Sequence, residues 1–234
     1  MTGKLALIAT AGLTGAAVFL ALGTALSGSS WASSAYLWNA GATCAPASGT
    51  QRQITLPFTS EDKLAIEVPG TVSYSPGEKA EAVISGDSAL IDHLKIESGR
   101  LALDCDPGWL GYSFDVKLSG PAITTWDLLG TGDLMLAHID QPRLQVSVKG
   151  NGNISATGTS DVVDIGIYGS GKARFEGLIG KSATVQISGS GDASVNATSD
   201  ADVSIFGSGN VELSGHPTMR HTEIRGSGRI VQVP

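Results

Sequence analysis

The amino-acid sequence predicts an all-β protein: a single-stranded parallel β-helix with rungs of about 19 residues, preceded by an N-terminal apolar helix. Two observations in the second half of the chain carry this prediction. A glycine tripeptide recurs there at nearly constant spacing, and apolar residues alternate on both sides of it. A third observation, an uncharged apolar run near the N-terminus, predicts the helix and the export of the chain.

The glycine repeat gives the period of the fold. A Gly-x-Gly tripeptide begins at residues 130, 150, 169, 189, 207 and 226, at intervals of 20, 19, 20, 18 and 19 residues. A period near 20 is typical of solenoids, whereas a propeller blade needs about 40 residues. One such rung buries too little apolar surface to fold alone, so successive rungs must stack at the strand spacing of about 4.8 Å.

The residues that flank each tripeptide predict which face is inward. Positions two and four before it, and four and six after it, are mostly apolar, as at Val185, Ile187, Ala193 and Val195. Because side chains alternate along a strand, these even positions share one inward face. Both glycines fall on that face too, at a corner where a β-carbon is expected to collide with the opposite wall. The predicted structural corner residues are Gly130, Gly132, Gly150, Gly152, Gly169, Gly171, Gly189, Gly191, Gly207, Gly209, Gly226 and Gly228.

An outward column of residues lies one position before each tripeptide. Three of its six members are large and apolar: Leu129, Tyr168 and Phe206. Exposed apolar side chains in line could contact a glycan or a protein partner. They could equally pack beneath the strands of the first half or a turn, and we favour that interpretation because single exposed apolar residues are common.

The N-terminal run predicts export. Lys4 is followed by 22 uncharged residues, 5–26, close to the roughly 20 that span a bilayer as a helix. We expect this segment to anchor the protein in the inner membrane, with the remainder in the periplasm or at the cell surface. Cleavage after Ala32 by a signal peptidase is the alternative, because Ser30-Trp31-Ala32 has the small-x-small form. The predicted organisation is a signal peptide or anchor at 1–28, a linker at 29–53, and a β-helix domain at 54–234 with an irregular first half, 54–125, and regular rungs, 126–234.

The charge of the chain limits the kinds of partner it can bind, and its cysteine content allows at most one disulfide within the chain. The net charge of −7 disfavours binding to nucleic acid. Cys44 and Cys105 are the only thiols; an exported protein could join them in a disulfide, and the sequence leaves open whether it does. We expect neither a cofactor nor a metal, because the one column that resembles a calcium repeat contains Lys172 and Arg229, which would repel a cation.

The first half carries a family resemblance. It rests on the segment LAIEVPGTVSYSPGEKAEAVISGDSALIDHLKIESGRLAL (64–103), the strand at 114–118 and the repeated GSG rungs. Over residues 54–233 this order resembles the head GIN domain family of autotransporter adhesins. The resemblance implies an exported, right-handed β-helix with an adhesive or envelope role. The irregular strands of 54–118 are expected to form the first rungs or a cap, which a solenoid needs to cover its end.

These observations predict a cell-envelope binding scaffold without catalysis, whose partner is an envelope protein or a glycan. Two other functions remain open. A carbohydrate-active enzyme would use acids such as Asp161, Asp164, Asp200 and Asp202, and would need three or more carboxylates around an arginine in one groove. A structural subunit would polymerise end to end through an uncapped terminal rung at 226–233.

Overall fold

The computed structural model describes residues 43–59, 61–106 and 111–233. The chain divides into two units at residue 43, and the second, Cys44–Pro234, contains nearly all of the described residues. The predicted N-terminal helix and the anchor or signal at 1–28 lie outside the described residues, as does most of the predicted linker. Within the described ranges, no helix has the length and apolar character needed to cross a bilayer.

The second unit is an all-β solenoid of about five turns, which confirms the predicted fold class. A 3₁₀ turn, Ile91–His93, accompanies the strands. The strands are β1 Gln51–Pro57, β2 Lys63–Ile66, β3 Gly70–Pro76, β4 Glu81–Asp87, β5 Leu94–Glu97, β6 Arg100–Leu103, β7 Phe114–Gly120, β8 Thr125–Gly130, β9 Asp133–Gly150, β10 Asn153–Gly169, β11 Lys172–Gly189, β12 Asp192–Gly207, β13 Asn210–Ser214, β14 Thr218–Gly226 and β15 Arg229–Gln232.

The regular rungs form two walls that meet at the Gly-x-Gly corner. We call the strand segments before the tripeptides wall A and those after them wall B. All neighbours in these rungs pair in parallel, and the first glycines of successive tripeptides are paired with one another, from Gly130 to Gly226. The right-handed sense of the coil stays a prediction.

The interior of the column is continuous and apolar. Inward residues such as Val185, Ile187, Ala193 and Val195 are all buried, as the alternation predicted. Each rung places its apolar side chains directly over those of the rung before it, and burial of this surface provides the main favourable free energy of folding.

The corner glycines are needed for a different reason from the one that the sequence suggested. The second glycine of a tripeptide, such as Gly191, is buried as predicted. The first, Gly189, is half-buried and has a φ of +140°, a conformation that favours glycine. A β-carbon at either position would overlap the carbonyl oxygen of the equivalent glycine one rung earlier. The collision is therefore with the neighbouring rung and not with the opposite wall.

In the first half, the order of the rungs in the column differs from the order of the strands along the chain. Strand β2 pairs with both β6 and β8, and β3 pairs with both β7 and β9. The rung made by β2 and β3 therefore lies between the rung of β6 and β7 and the rung of β8 and β9. The parallel pairing of the β-helix is interrupted here, because β1, β4 and β5 pair antiparallel to their neighbours. The first half thus provides two rungs and a cap.

The cap closes the first end of the column. Leu90, Ile91 and Leu94, in and beside the 3₁₀ turn, are almost completely buried. Their side chains join the same hydrophobic cluster as the rungs. Antiparallel strands and a buried turn therefore cover apolar surface that a bare first rung would expose.

Two further contacts hold the start of the described chain to this cap. Cys44 and Cys105 form a disulfide, with their Cα atoms 5.1 Å apart. The carboxylate of Asp87 accepts hydrogen bonds from the backbone N–H groups of Ser48, Ala89 and Gly49, at 3.0, 2.9 and 2.7 Å. These bonds, the one from Ser48 foremost, lower the pKa of Asp87 below its ordinary value.

We expect Gly189→Ala to lower the free energy of unfolding by about 3 kcal/mol, because the methyl group collides with the preceding rung and the positive φ is strained. Denaturant titration followed by circular dichroism measures the change. Ser190→Ala, at the exposed middle position of the same tripeptide, is the matched control and should change it by less than about 0.5 kcal/mol. Equal midpoints for the two variants would contradict the stacking argument.

We expect the stability contributed by Asp87 to depend on pH in a defined direction. A lowered pKa means that the carboxylate stabilises the fold above its unfolded pKa, near 3.9, and that this contribution is lost as the pH falls through the lower folded value. Asp87→Asn should reduce stability at pH 7 and flatten its decline below about pH 4. Thermal melts from pH 7 to pH 2 test this, with Asp115→Asn, an exposed aspartate of β7, as the control. A decline in the Asp87→Asn variant as steep as that of the wild type would refute it.

Candidate functional site

The outer face of wall A carries three parallel columns of side chains. They lie five, three and one residues before each tripeptide, and the rung pairing keeps each column in register. The column nearest the corner is the predicted partner-contact column. Its members, in order, are Leu129, Lys149, Tyr168, Ser188, Phe206 and Arg225.

The three apolar members of this column have different surroundings. Leu129 is half-buried and lines a shallow groove beside β2. Phe206 is half-buried beneath the guanidinium of Arg225, whose Cζ lies 5.4 Å from the ring centroid. Tyr168 is the most exposed of the three, at 42%. The column therefore has one open aromatic side chain, and that residue lies in the middle of wall A.

Gly166 explains the position of the Tyr168 ring. It lies two residues before Tyr168 on the same outer face, where neighbouring rungs carry Ser147 and Gln186. A β-carbon at Gly166 would lie 3.0 Å from Cε2 of Tyr168 and 3.4 Å from its hydroxyl oxygen. The tyrosine ring thus lies over the bare backbone of Gly166. A glycine in a strand interior often marks such a close approach.

Gly166, which has no side chain, also lines a groove on the outer face of wall A, which we call the wall-A groove. Its volume is about 360 Å³. The residues around Gly166 offer amide, hydroxyl, carboxylate, ammonium and phenol groups. They include Gln145, Lys149, Asp164, Tyr168, Thr184 and Gln186.

One polar atom in this groove has hydrogen-bonding capacity to spare. The hydroxyl oxygen of Ser147, a lining residue, is buried and has no hydrogen-bond partner among the described residues. A buried hydroxyl without a partner costs free energy, and this oxygen has almost no accessible surface, so in this conformation it is not presented to a ligand.

The acidic groups of the groove are paired with bases. Asp127 and Lys63 form an ion pair at 2.6 Å, and Asp164 pairs with Arg143 at 2.5 Å. These pairs cancel, and Lys149 leaves a single net positive charge in the groove. This arrangement suits a neutral polar ligand better than a polyanion.

The other sets of polar residues are engaged within the fold. On wall B, the side-chain amides of Asn153 and Asn210 donate to Asp133 and Asp192 of the preceding rungs, at 2.8 and 3.0 Å. Lys172 lies 3.6 Å from the same Asp192. This is the column that resembles a calcium repeat, and its carboxylates meet amide and ammonium donors.

A second cluster has metal-binding side chains. One potential ligand atom from each of His93, Asp104 and Cys105 lies within 4.8 Å of the other two. The sulfur of Cys105 is bonded to Cys44, so it offers no thiolate, and Nδ1 of His93 is 2.7 Å from the Asp104 carboxylate.

The acids considered for an enzyme are separated. Asp200 and Asp202 share Arg220, at 3.5 and 2.9 Å, while Asp164 pairs with Arg143 and Asp161 with Lys181. Asp200 and Asp202 raise the pKa of Arg220, chiefly through the hydrogen bond that Arg220 donates to Asp202. An enzyme of this kind is expected to place three or more carboxylates around one arginine. In the described ion pairs, no arginine meets three carboxylates.

Sequence reasoning identified Tyr168 but missed the groove. The outward alternation placed the tyrosine correctly on the outer face. The available signal for the groove was Gly166, a glycine at an outward position of a strand and outside the repeated tripeptides. The pair of Lys63 and Asp127 had no sequence signal, because it depends on β2 lying beside β8.

The comparisons with known proteins decide the family. The family model described as "Putative auto-transporter adhesin, head GIN domain" matches residues 62–217, from the start of β2 to the turn before β14. The chain belongs to this head GIN domain family. The family resemblance read from the sequence is thereby confirmed. A search of curated proteins gives no match.

Solved structures share the head GIN fold at low sequence identity. An adhesin-named protein from Bacteroides fragilis NCTC 9343 aligns with a TM-score of 0.64 and 17% identity, over 81% of this chain and 100% of that one. A protein from Parabacteroides distasonis ATCC 8503, also named an adhesin, aligns with a TM-score of 0.51 and 16% identity, over 80% and 99%. A second P. distasonis protein, named as lipid binding, aligns with a TM-score of 0.50 and 17% identity, over 81% and 99%. At these identities the similarity shows the fold alone.

Proposed function

We propose that this head GIN protein is an exported, non-catalytic binding scaffold of the cell envelope, and that its wall-A groove binds a glycan. The family is one of adhesin-type proteins, which suggests an exported or surface location. Attachment to the inner membrane through residues 5–26, with the folded unit in the periplasm or at the surface, is part of the proposal and rests on the sequence.

The observation that carries the glycan assignment is the Tyr168 ring lying over Gly166 inside a polar groove. A sugar ring has an apolar C–H face and a rim of hydroxyl groups. The exposed tyrosine offers a flat surface for the first, while Gln145, Gln186 and Thr184 offer donors and acceptors for the second.

The low net charge of the groove, one positive charge from Lys149, supports a neutral ligand better than a polyanion. Asp127 and Asp164 each have a basic partner, so neither presents an unpaired carboxylate to a bound molecule. A general acid or base needs a free carboxyl or imidazole beside the reacting bond. The groove is built instead to hold a ligand by hydrogen bonds and ring contact.

A protein partner is the second candidate, favoured by one observation. The columns of wall A are in register over all the regular rungs, so a partner could contact Phe206 and Arg225 as well as Tyr168. The two candidates differ in footprint: a glycan should depend on the groove, and a protein on the whole column.

We expect Tyr168→Ala to weaken glycan binding by tenfold or more, because the stacking surface is lost; tenfold is about 1.4 kcal/mol. Gly166→Ala should weaken it comparably by lifting the ring, and its β-carbon meets only the movable end of Tyr168. The full chain in mild detergent is screened against an array of bacterial and mammalian polysaccharides. Arg174→Ala, an exposed arginine on wall B, is the control that should bind as the wild type does.

Three results would overturn the assignment. Binding that survives both groove variants would place the ligand elsewhere. Absence of binding to any glycan on the array, with envelope proteins retained instead, would favour the protein partner. Release of new reducing or unsaturated ends from a bound polysaccharide would show an enzyme.

We expect Cys44 and Cys105 to be oxidised in the exported protein, because disulfides form outside the cytoplasm. Alkylation of cell extracts before and after reduction, read by mass, measures this. Deletion of residues 5–26 should leave both thiols reactive and lower the stability of the fold by about 4 kcal/mol in the chain-entropy account. Oxidised cysteines in the deletion variant would contradict the role assigned to this segment.

A further inference from the structure

The last rung of the solenoid has open edges on both walls. Strand β14 pairs with β12, and β15 pairs with β13; among the described residues, nothing pairs with their outer edges. Ile224 is 42% exposed, whereas Ile205, at the same inward position one rung earlier, is fully buried. Val231 on wall B is 45% exposed. Unpaired strand edges beside exposed apolar side chains are a template for further pairing.

The opposite end of the column differs from this edge. There Leu90, Ile91 and Leu94 plug the core. The outer strands β1 and β5 also have an edge that no described strand pairs with, but they run antiparallel to their neighbours and do not continue the two parallel walls. Contact between two copies of the last rung is isologous and closes as a dimer.

The sequence of β14 is complementary to itself in one register. When two β14 strands pair antiparallel about Ile224, Ile224 faces Ile224 of the partner subunit on the inward side. On the outward side, Glu223 faces the partner's Arg225, and Arg225 faces the partner's Glu223. Moving the centre to residue 223 or 225 would instead place like charges opposite each other, which is unfavourable.

Wall B has a self-complementary register of the same kind. Ile224 and Ile230 lie three residues before and after Ser227, the middle of the last tripeptide, so they are equally far along the chain from the corner. When two β15 strands pair antiparallel about Ile230, Ile230 faces Ile230 of the partner subunit and Arg229 faces the partner's Val231, with no like charges opposed.

We propose that two copies of this protein associate tail to tail through the outer edges of β14 and β15, with Ile224 at the two-fold axis. We take the partner to be a second copy of this chain. It presents two strand edges with the same separation, and in an antiparallel pair its Glu223 and Arg225 follow the opposite order. The family match ends at residue 217, so β14 and β15 lie outside the matched region. The inference is independent of the proposed function.

Sedimentation of the full chain in mild detergent, from about 1 to 100 μM, tests the proposal. We expect a monomer–dimer equilibrium with no larger species. Ile224→Lys, Glu223→Arg and Arg225→Glu should each weaken dimerisation at least tenfold, by placing like charges at the axis or across it. The double variant with Glu223→Arg and Arg225→Glu should restore it, because the opposite charges face each other again. Arg174→Glu, three rungs away on wall B, makes the same change of charge and should have no effect.

Each contrary result overturns the proposal. A wild-type chain that stays monomeric at 100 μM would show that the edge is covered from within the chain or left bare. Dimers that persist in the Ile224→Lys variant would be held elsewhere, for example by residues 1–42. Failure of the charge exchange to restore the dimer would rule out this register, and circular dichroism of every variant checks that the solenoid is folded.

Discussion

Close stacking of the corner glycines is the constraint on which the other features of this structure depend. From Gly150 onward, each corner glycine lies so near the carbonyl oxygen of the equivalent glycine in the rung before it that no β-carbon fits between them. Every rung is thereby fixed at the same height and in the same register. In-register rungs in turn produce straight columns of side chains, apolar inside and polar outside. The wall-A groove exists because one of those columns has a missing member at Gly166.

The fold could be predicted from the sequence where neighbours in space are also neighbours in the repeat. In the second half, a period of about 19 residues and strict alternation define both the rung and its inward face. The first half has the same alternation, but alternation indicates a face and not a neighbouring strand. Nothing in residues 63–76 signals that the chain will leave them, build the outer rung of β6 and β7, and return at β8. The antiparallel cap was hidden for the same reason.

The candidate site divides along the same line. Tyr168 could be placed on the outer face by counting from the glycine tripeptide, and Gly166 could have been noticed by the same count. The ion pair of Lys63 with Asp127 could not be predicted. The two residues are 64 positions apart in the sequence, and they meet only because β2 lies beside β8. The position of the tyrosine ring also depends on packing over backbone, which residue types alone do not determine.

The two proposals on this molecule are compatible in space, and together they have a consequence for binding. Tyr168 lies three ladder steps from Arg225, so the groove is well separated from the terminal edge. The two-fold axis of an antiparallel β14 pair is normal to wall A and leaves wall A facing the same way in both copies. Seven steps of about 4.8 Å would then place the two grooves about 34 Å apart on one face of the dimer. A shallow groove binds a single sugar weakly, but two on one face can engage a polymer at once, and the second contact is then effectively intramolecular. Tail-to-tail association would thus convert a weak site into an avid one without any new contact to the glycan.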